Sequence, residues 1–284
     1  MDIKAQGLDI SKWQGEIDWD ALGRMFDAGA FRFLILRAGL GYSSIDPKFE
    51  SYYAEARRRG IPCGAYWYAY WSQGTPEQEA RAFLAATAGK TLQYGIWYDV
   101  EYERSITSLD NKTRTDKVLE ALDALQASGR YVGLYASTDM VNNRLEYGRL
   151  HDYDLWVAQY GSVCTCKRDF GMWQYTSSGR MQGISGNVDR DRAYTDYPAI
   201  ITGSLALCET ASATPAITEQ AKPRVPKTLR IGPMTGGDLK TVLDKAEELQ
   251  LYRVGTVDIG PMTEGDTATI RETAQSLNIG VAEV

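Results

Sequence analysis

Phe33-Leu34-Ile35-Leu36-Arg37-Ala38-Gly39 is an almost wholly apolar run, and Cys63-Gly64-Ala65-Tyr66-Trp67-Tyr68-Ala69-Tyr70 is a second. Between them the pattern changes period. Asp46 suits a helix N-cap, Pro47 its first position, and Gly60 lies just past the end of a helix over 47–59. Near-continuous apolar strands joined through a helix are the signature of a parallel, two-face-buried sheet. The same alternation extends outward in both directions. Strand-like runs fall at 6–11, 33–39, 63–70, 94–101, 131–137, 155–160, 171–176 and 186–190. Helical patterns fit 19–28, 47–59, a segment opened by the capping box Thr75-Pro76-Glu77-Gln78, another opened by Thr113-Arg114-Thr115-Asp116, and a short one at 140–147. After Tyr160 the connectors are too short for ordinary crossover helices. The expected fold is therefore α/β: an irregular TIM-like barrel of five βα units plus three strands, over residues 1–200.

The aromatic residues support a boundary there. All seven Trp, all six Phe and every one of 18 Tyr except Tyr252 precede residue 201. Residues 201–227 are small, polar and proline-containing, the composition of a linker. Residues 228–284 hold an internal repeat at an offset of 28: Ile231-Gly232-Pro233-Met234-Thr235-Gly236-Gly237-Asp238 returns as Ile259-Gly260-Pro261-Met262-Thr263-Glu264-Gly265-Asp266. Each copy reads as a strand end, a turn and a capped helix start. A small βαβαβ domain is expected, with strands near 228–231, 253–259 and 280–284. Two right-handed crossovers put both helices on one face. The other face finds cover, from a second copy or from the first domain, or stays open.

Composition narrows the chemistry. The 284-residue chain is 44% hydrophobic and carries a formal charge of −6. That charge argues against non-specific nucleic-acid binding and against docking on anionic membranes. No apolar run approaches the ~20 residues that span a bilayer. The start, Met1-Asp2-Ile3-Lys4, lacks the basic-then-apolar order of a secretory signal, so synthesis in the cytoplasm is expected. His151 is the single histidine, which removes His-rich zinc sites; no metal or cofactor is expected. Cys63, Cys164, Cys166 and Cys208 read as reduced thiols. Carboxylates lead the candidates for acid–base work.

In such barrels the chemistry gathers at the C-terminal ends of the strands. Those ends carry Asp9, Arg37, Tyr66 and Tyr68, Asp99 and Glu101, Gln159, Trp173 and Asp189. Asp99 and Glu101 are two apart, so both side chains leave the strand on one face, their Cα atoms roughly 6.5–7 Å apart. That suits a pair flanking a glycosidic bond. Asp9 and Asp189 become neighbours if the first and eighth strands meet. Clustered acids cannot all ionise freely, and at least one stays protonated to serve as a general acid. A D-x-E motif alone also fits a metal-binding cluster or structural ion pairs, and Asp189-Arg190-Asp191-Arg192 also fits a solvated charge run.

Eight short motifs in order strengthen one reading: Gly7-Leu8-Asp9-Ile10-Ser11-Lys12-Trp13-Gln14-Gly15, Leu36-Arg37-Ala38-Gly39, Gly64-Ala65-Tyr66-Trp67-Tyr68, Asp99-Val100-Glu101, Gly133-Leu134-Tyr135, Leu155-Trp156-Val157-Ala158-Gln159-Tyr160, Trp173-Gln174-Tyr175 and Val188-Asp189. Over residues 5–195 this series resembles glycoside hydrolase family 25, the Chalaropsis-type muramidases common as bacteriophage endolysins. The resemblance implies a five-βα-plus-three-strand barrel that cleaves the β-1,4 bond from N-acetylmuramic acid to N-acetylglucosamine in bacterial peptidoglycan. It implies Glu101 as general acid and Asp99 as its partner, with Asp9 and Asp189 completing an acidic floor. Tyr66, Tyr135, Trp156 and Gln159 would line the groove, with Tyr68, Arg37 and Trp173 as further substrate contacts. Trp67 stands where the family often has His, so no role is carried over to it. The tail would bind the cell wall or self-associate. A chitinase-like hydrolase and a non-catalytic wall-binding protein are the alternatives.

Overall fold

The computed structural model describes residues 2–201, together with the backbone of Arg230–Ile231 and Asp258–Ile259. The chain divides into two units, Met1–Thr214 and Pro215–Val284. In the second, Arg230–Ile231 and Asp258–Ile259 pair as parallel strands, within two of the three strands expected there. The linker, the tail helices with their caps, and the third tail strand lie outside the described residues.

The first unit is a closed eight-stranded barrel. Its strands are β1 (Ala5–Ile10), β2 (Phe33–Leu40), β4 (Cys63–Tyr68), β5 (Ile96–Val100), β6 (Val132–Ser137), β7 (Asp154–Ala158), β8 (Met172–Gly179) and β9 (Val188–Ala193). A two-residue strand, β3 (Ser44–Ile45), folds back on β2. Each of the eight runs seen in the sequence is a strand. β1 closes the ring, pairing with β2 from Gly7↔Phe33 to Ile10↔Leu36 and with β9 from Ala5↔Ala193 to Asp9↔Asp189.

The strands from β1 round to β8 run parallel, but β9 is antiparallel to both neighbours. The three closing strands, expected without crossover helices, thus include one reversal. Only the loop 180–187 separates β8 from β9, and a parallel return needs a crossover of a dozen or more residues. Residues 159–171, between β7 and β8, are just long enough for a parallel return without a helix.

Helices α1 (Trp19–Asp27), α2 (Phe49–Arg58), α3 (Pro76–Ala86) and α5 (Asn111–Gln126) cover the outside, with a one-turn α4 (Arg104–Thr107) after β5. Thr75 and Gln78 form the expected reciprocal capping box on α3. Two starts differ from expectation. Asp110, not Thr113, caps α5: its carboxylate accepts the Thr113 N–H. α2 begins at Phe49 rather than 47; Asp46 Oδ2 accepts from Arg37, while its Oδ1 accepts the Lys48 N–H just before the helix. The short helix expected at 140–147 is a π turn, Met140–Arg144, followed by a 3-10 turn, Tyr147–Arg149.

Strand parity sorts the side chains into two cores. Outward residues such as Leu34, Leu36, Ile96, Tyr98, Leu155 and Val157 pack under the helices. There Glu79 of α3, wholly buried, accepts the Tyr98 hydroxyl at 2.7 Å and the Tyr70 N–H at 3.0 Å, pinning helix to strand. Inward residues divide along the barrel axis. Phe33, Tyr94, Trp97 and Tyr197 fill the lower half. Tyr197, just past β9, closes the bottom, its hydroxyl donating to Asp154 at 2.7 Å. Gly133 leaves room for the Trp97 ring: a Cβ there would lie 2.3 Å from it. The upper half, at the C-terminal ends of the parallel strands, is polar.

Candidate active site

Asp99 is the fourth residue of β5 and Glu101 the first after it. Both follow the inward parity of Trp97. The Ala69 N–H donates to the Asp99 carbonyl at 2.8 Å, so the segment after β4 fixes the backbone of this strand end. Across the mouth, the closure of the ring sets Asp9 directly opposite Asp189. These four acids line one open pocket of about 370 Å³ of empty space. Asp189 was expected at the C-terminal end of the last strand. It is the second residue of β9, and because β9 runs backwards its beginning lies at the same rim.

The acids differ in depth. Asp99 is 2% and Asp9 5% exposed, while Glu101 and Asp189 are half-buried nearer the opening. Burial is the main cause of every shift. The Asp9 carboxyl is held well above its ordinary value by burial, then by the charges of Asp191 and Asp189, with the Gln174 hydrogen bond opposing. Asp99 is raised by burial and by Glu101, with the Arg37 guanidinium opposing. Glu101 is raised by burial, then by Asp189 and Glu103. Asp189 is pushed up to about 6 by burial. Among the described residues no donor reaches the Glu101 carboxyl, so nothing steadies its anion. That is the setting of a carboxylic acid that keeps its proton toward neutral pH.

The rest of the lining is aromatic and amide: Tyr66, Tyr135, Trp156, Tyr160 and Gln174. The Tyr135 hydroxyl donates to Gln174 Oε1 at 2.9 Å, and Gln174 Nε2 donates to Asp9 at 2.8 Å. Tyr135 and Tyr66 both meet Trp156 edge to face, with centroids 4.5 and 6.1 Å away. This fixed polar and aromatic wall suits the hydroxyl edges and flat apolar faces of a sugar ring.

Four expected contacts lie elsewhere. Trp173 has outward parity; it packs beneath the Arg192 guanidinium and donates its indole N–H to the Gln159 carbonyl at 2.8 Å. Its neighbour Gln174 takes the inward place. Gln159 braces the loop after β7, accepting from the Thr165 N–H at 2.7 Å and the Thr138 hydroxyl at 3.0 Å. Tyr68 donates to Glu103 at 2.8 Å, outside the pocket lining. Arg37 is buried and paired with Asp46 at 2.7 Å, so it acts on Asp99 from behind. Trp67 points outward, wholly buried, and donates to the Gly41 carbonyl at 2.7 Å; the unusual residue at that position does not touch the pocket.

Three residues were not singled out from the sequence as site residues: Tyr160 and Gln174, which stand in rim motifs, and the buried Asp191. Asp191 is unexposed, and its Oδ1 accepts the Trp156 indole N–H at 2.9 Å. The signal was present. Asp189 and Asp191 are two apart on a strand, just as Asp99 and Glu101 are, which places both on the inner face.

A closed barrel with paired carboxyls at its rim can be set beside known proteins. Residues 8–184 match the family described as glycosyl hydrolases family 25. The chain is 29% identical over 186 residues to the uncharacterised protein YegX of Escherichia coli O157:H7, covering 64% of this chain and 67% of that one. It is 28% identical over 203 residues to Lysozyme M1 of Streptomyces globisporus, covering 66% and 67%. The crystal structure of a bacterial lysozyme from Streptomyces coelicolor shares the fold with a TM-score of 0.61 at 24% identity, covering 70% of this chain and 97% of that one.

Proposed function

This chain belongs to glycosyl hydrolase family 25, and from that membership and the pocket we infer which acid performs which step. It is a muramidase: it hydrolyses the β-1,4 bond between N-acetylmuramic acid and N-acetylglucosamine in bacterial peptidoglycan. The family assignment sets aside a chitinase-like hydrolase.

Glu101 is the general acid. It donates its proton to the glycosidic oxygen as the bond to the anomeric carbon breaks, and the sugar on that oxygen leaves as an alcohol. Asp99, two residues back on the same face, lies deeper and meets the positive charge that develops at the anomeric carbon, or holds the acetamido group beside it. Water then adds its hydroxyl to the anomeric carbon, and its remaining proton returns the Glu101 carboxylate to the acid. Asp9 and Asp189 complete the acidic floor, and the Asp189 charge helps burial to keep Glu101 protonated. Tyr66, Tyr135, Trp156 and Tyr160 present ring faces and edges to the glycan.

The observation that carries this reading is the meeting of Asp99 and Glu101, from one strand end, with Asp9 and Asp189 from the seam of the barrel. General acid catalysis contributes about 10²–10⁴-fold. Glu101→Gln should cut release of new reducing ends from purified cell walls by at least ~10² with the thermal unfolding curve unchanged. Undiminished release by a folded Glu101→Gln protein refutes the assignment. Release of reducing ends by the parent chain also separates an enzyme from a wall-binding protein that merely keeps the cleft.

We further propose an endolysin-like setting, in which the chain made in the cytoplasm meets the wall after release. The repeat-bearing tail then serves as a wall-binding or self-associating module. The linker-like composition of 201–227 and the 28-residue repeat support a separate unit. With Tyr252 its single aromatic residue, the tail is poorly supplied for stacking on sugars.

A further inference from the structure

Behind the pocket floor sits an acid that the mechanism above does not use. β9 turns Asp189 and Asp191 inward and Arg190 and Arg192 outward. Asp191 lies opposite Gly7 of β1 on one side and Gln174 of β8 on the other. It is fully buried. Its Oδ1 is satisfied by the Trp156 indole. Its Oδ2 is buried and receives no hydrogen bond from a donor. Asp9, two residues along β1 from Gly7, faces Asp191 within hydrogen-bonding reach.

Two buried carboxylates cannot face each other as anions, because neither has a proton to offer and both lose hydration. One proton between the two carboxyls resolves both difficulties: it lets the orphaned oxygen pair with Asp9 and removes the repulsion. The groups around Asp191 supply no other remedy. β1 presents Asp9, β9 itself presents Asp189, and β7 and β8 present neutral Trp156 and Gln174. None of these carries a positive charge.

We infer that Asp191 is a positioning residue of this muramidase: it shares one proton with Asp9, and the hydrogen bond between the two carboxyls fixes Asp9 in the pocket floor. Asp9 is then held from both sides, by the Gln174 amide on one and by Asp191 on the other. Burial and the neighbouring Asp189 favour the neutral form of Asp191, while the hydrogen bonds with Trp156 and Asp9 favour its anion. The inference rests on the catalytic reading only in saying what the held Asp9 is for.

Two substitutions test it in the full chain. Asp191→Asn keeps a donor at the same place but cannot titrate. Asp191→Leu keeps the volume and removes the donor. The parent protein should show the infrared carbonyl band of a protonated carboxylic acid at pH 7, and Asp191→Asn should lose intensity there. Asp191→Leu should lower kcat by roughly tenfold or more, with KM little changed, because a misplaced catalytic group costs rate. Asp191→Asn should restore kcat to within about threefold of the parent, since its amide still hydrogen-bonds to Asp9. An unchanged infrared band in Asp191→Asn overturns the inference. So does a folded Asp191→Asn protein as slow as Asp191→Leu, which would mean that negative charge is what the site needs. Should Asp191→Leu fail to fold, the infrared comparison still decides. That comparison involves no turnover, so an active Glu101→Gln protein would sink the catalytic reading without touching this one.

Discussion

Replacing Arg37 by Met separates the stability of the barrel from the electrostatics of its site. The Arg37 side chain is 10% exposed and its partner Asp46 is unexposed; Nε lies 2.7 Å from Asp46 Oδ2. Methionine keeps the length and the apolar stem but removes the cation. Breaking a buried pair by deleting one partner costs about 3–5 kcal/mol, since the other charge is stranded. Asp46 keeps two further donors, the N–H groups of Lys12 at 3.1 Å and Lys48 at 2.9 Å. These place the loss toward the lower end, about 3 kcal/mol. For a unit of ~200 residues that is a fall in Tm of roughly 6–12 °C. The second effect is on Asp99. Arg37 is the cation that opposes the raised state of that carboxyl; without it Asp99 spends more of its time neutral, and the developing positive charge in the pocket loses its partner. kcat therefore falls along with Tm. The double variant Arg37→Met/Asp46→Asn removes the stranded anion. It should recover about 1–2 kcal/mol, the size of coupling expected for residues in contact, while activity stays low. Thermal unfolding and reducing-end release on the same samples give both numbers. A single variant that melts within ~2 °C of the parent would refute the buried-pair argument. A double variant that regains activity along with stability would show that Arg37 does not act on Asp99.

Two more predictions come from the same geometry. Asp189→Asn removes the charge that, after burial, most raises Glu101. The Glu101 anion then forms at lower pH, the protonated acid is lost sooner as pH rises, and the alkaline limb of the kcat profile moves to lower pH; an unmoved limb means that Glu101 is not the titrating acid. Gly133→Ala sets a methyl group against the unexposed Trp97 ring and 3.0 Å from the Asp154 carbonyl. It should cost about 1–3 kcal/mol by denaturant unfolding, whereas Gly148→Ala, with nothing within 4 Å of the new carbon, should stay within ~0.5 kcal/mol; equal effects would discount the close packing inside the barrel.

Much of this molecule is legible from the chain alone. Period-two and period-3.6 patterns are local, and they mark all eight strands and most of the helices. The spacing of Asp99 and Glu101 is local too, and it puts both on one face of a strand before any partner is known. What the sequence leaves open is relational. Whether Trp173 or Gln174 looks into the pocket depends on which parity of β8 the barrel encloses, and both residues suit either face. The apparent charge run Asp189-Arg190-Asp191-Arg192 gives no sign that its acids are enclosed and its arginines are not. Asp46 has the makings of an ordinary cap until Arg37, nine residues earlier, is seen beside it.

Position along the chain fixes which residues alternate together. Direction and closure fix what they meet, and those depend on pairings such as Asp9 with Asp189, which lie at opposite ends of the barrel sequence. A loop too short for a crossover reverses β9, the reversed strand carries Asp189 to the catalytic rim and Asp191 behind it, and only the closed ring brings both against Asp9. Hydrogen bonds and repulsion between carboxyls act over a few ångströms of space, so tertiary structure alone decides which acids share a proton.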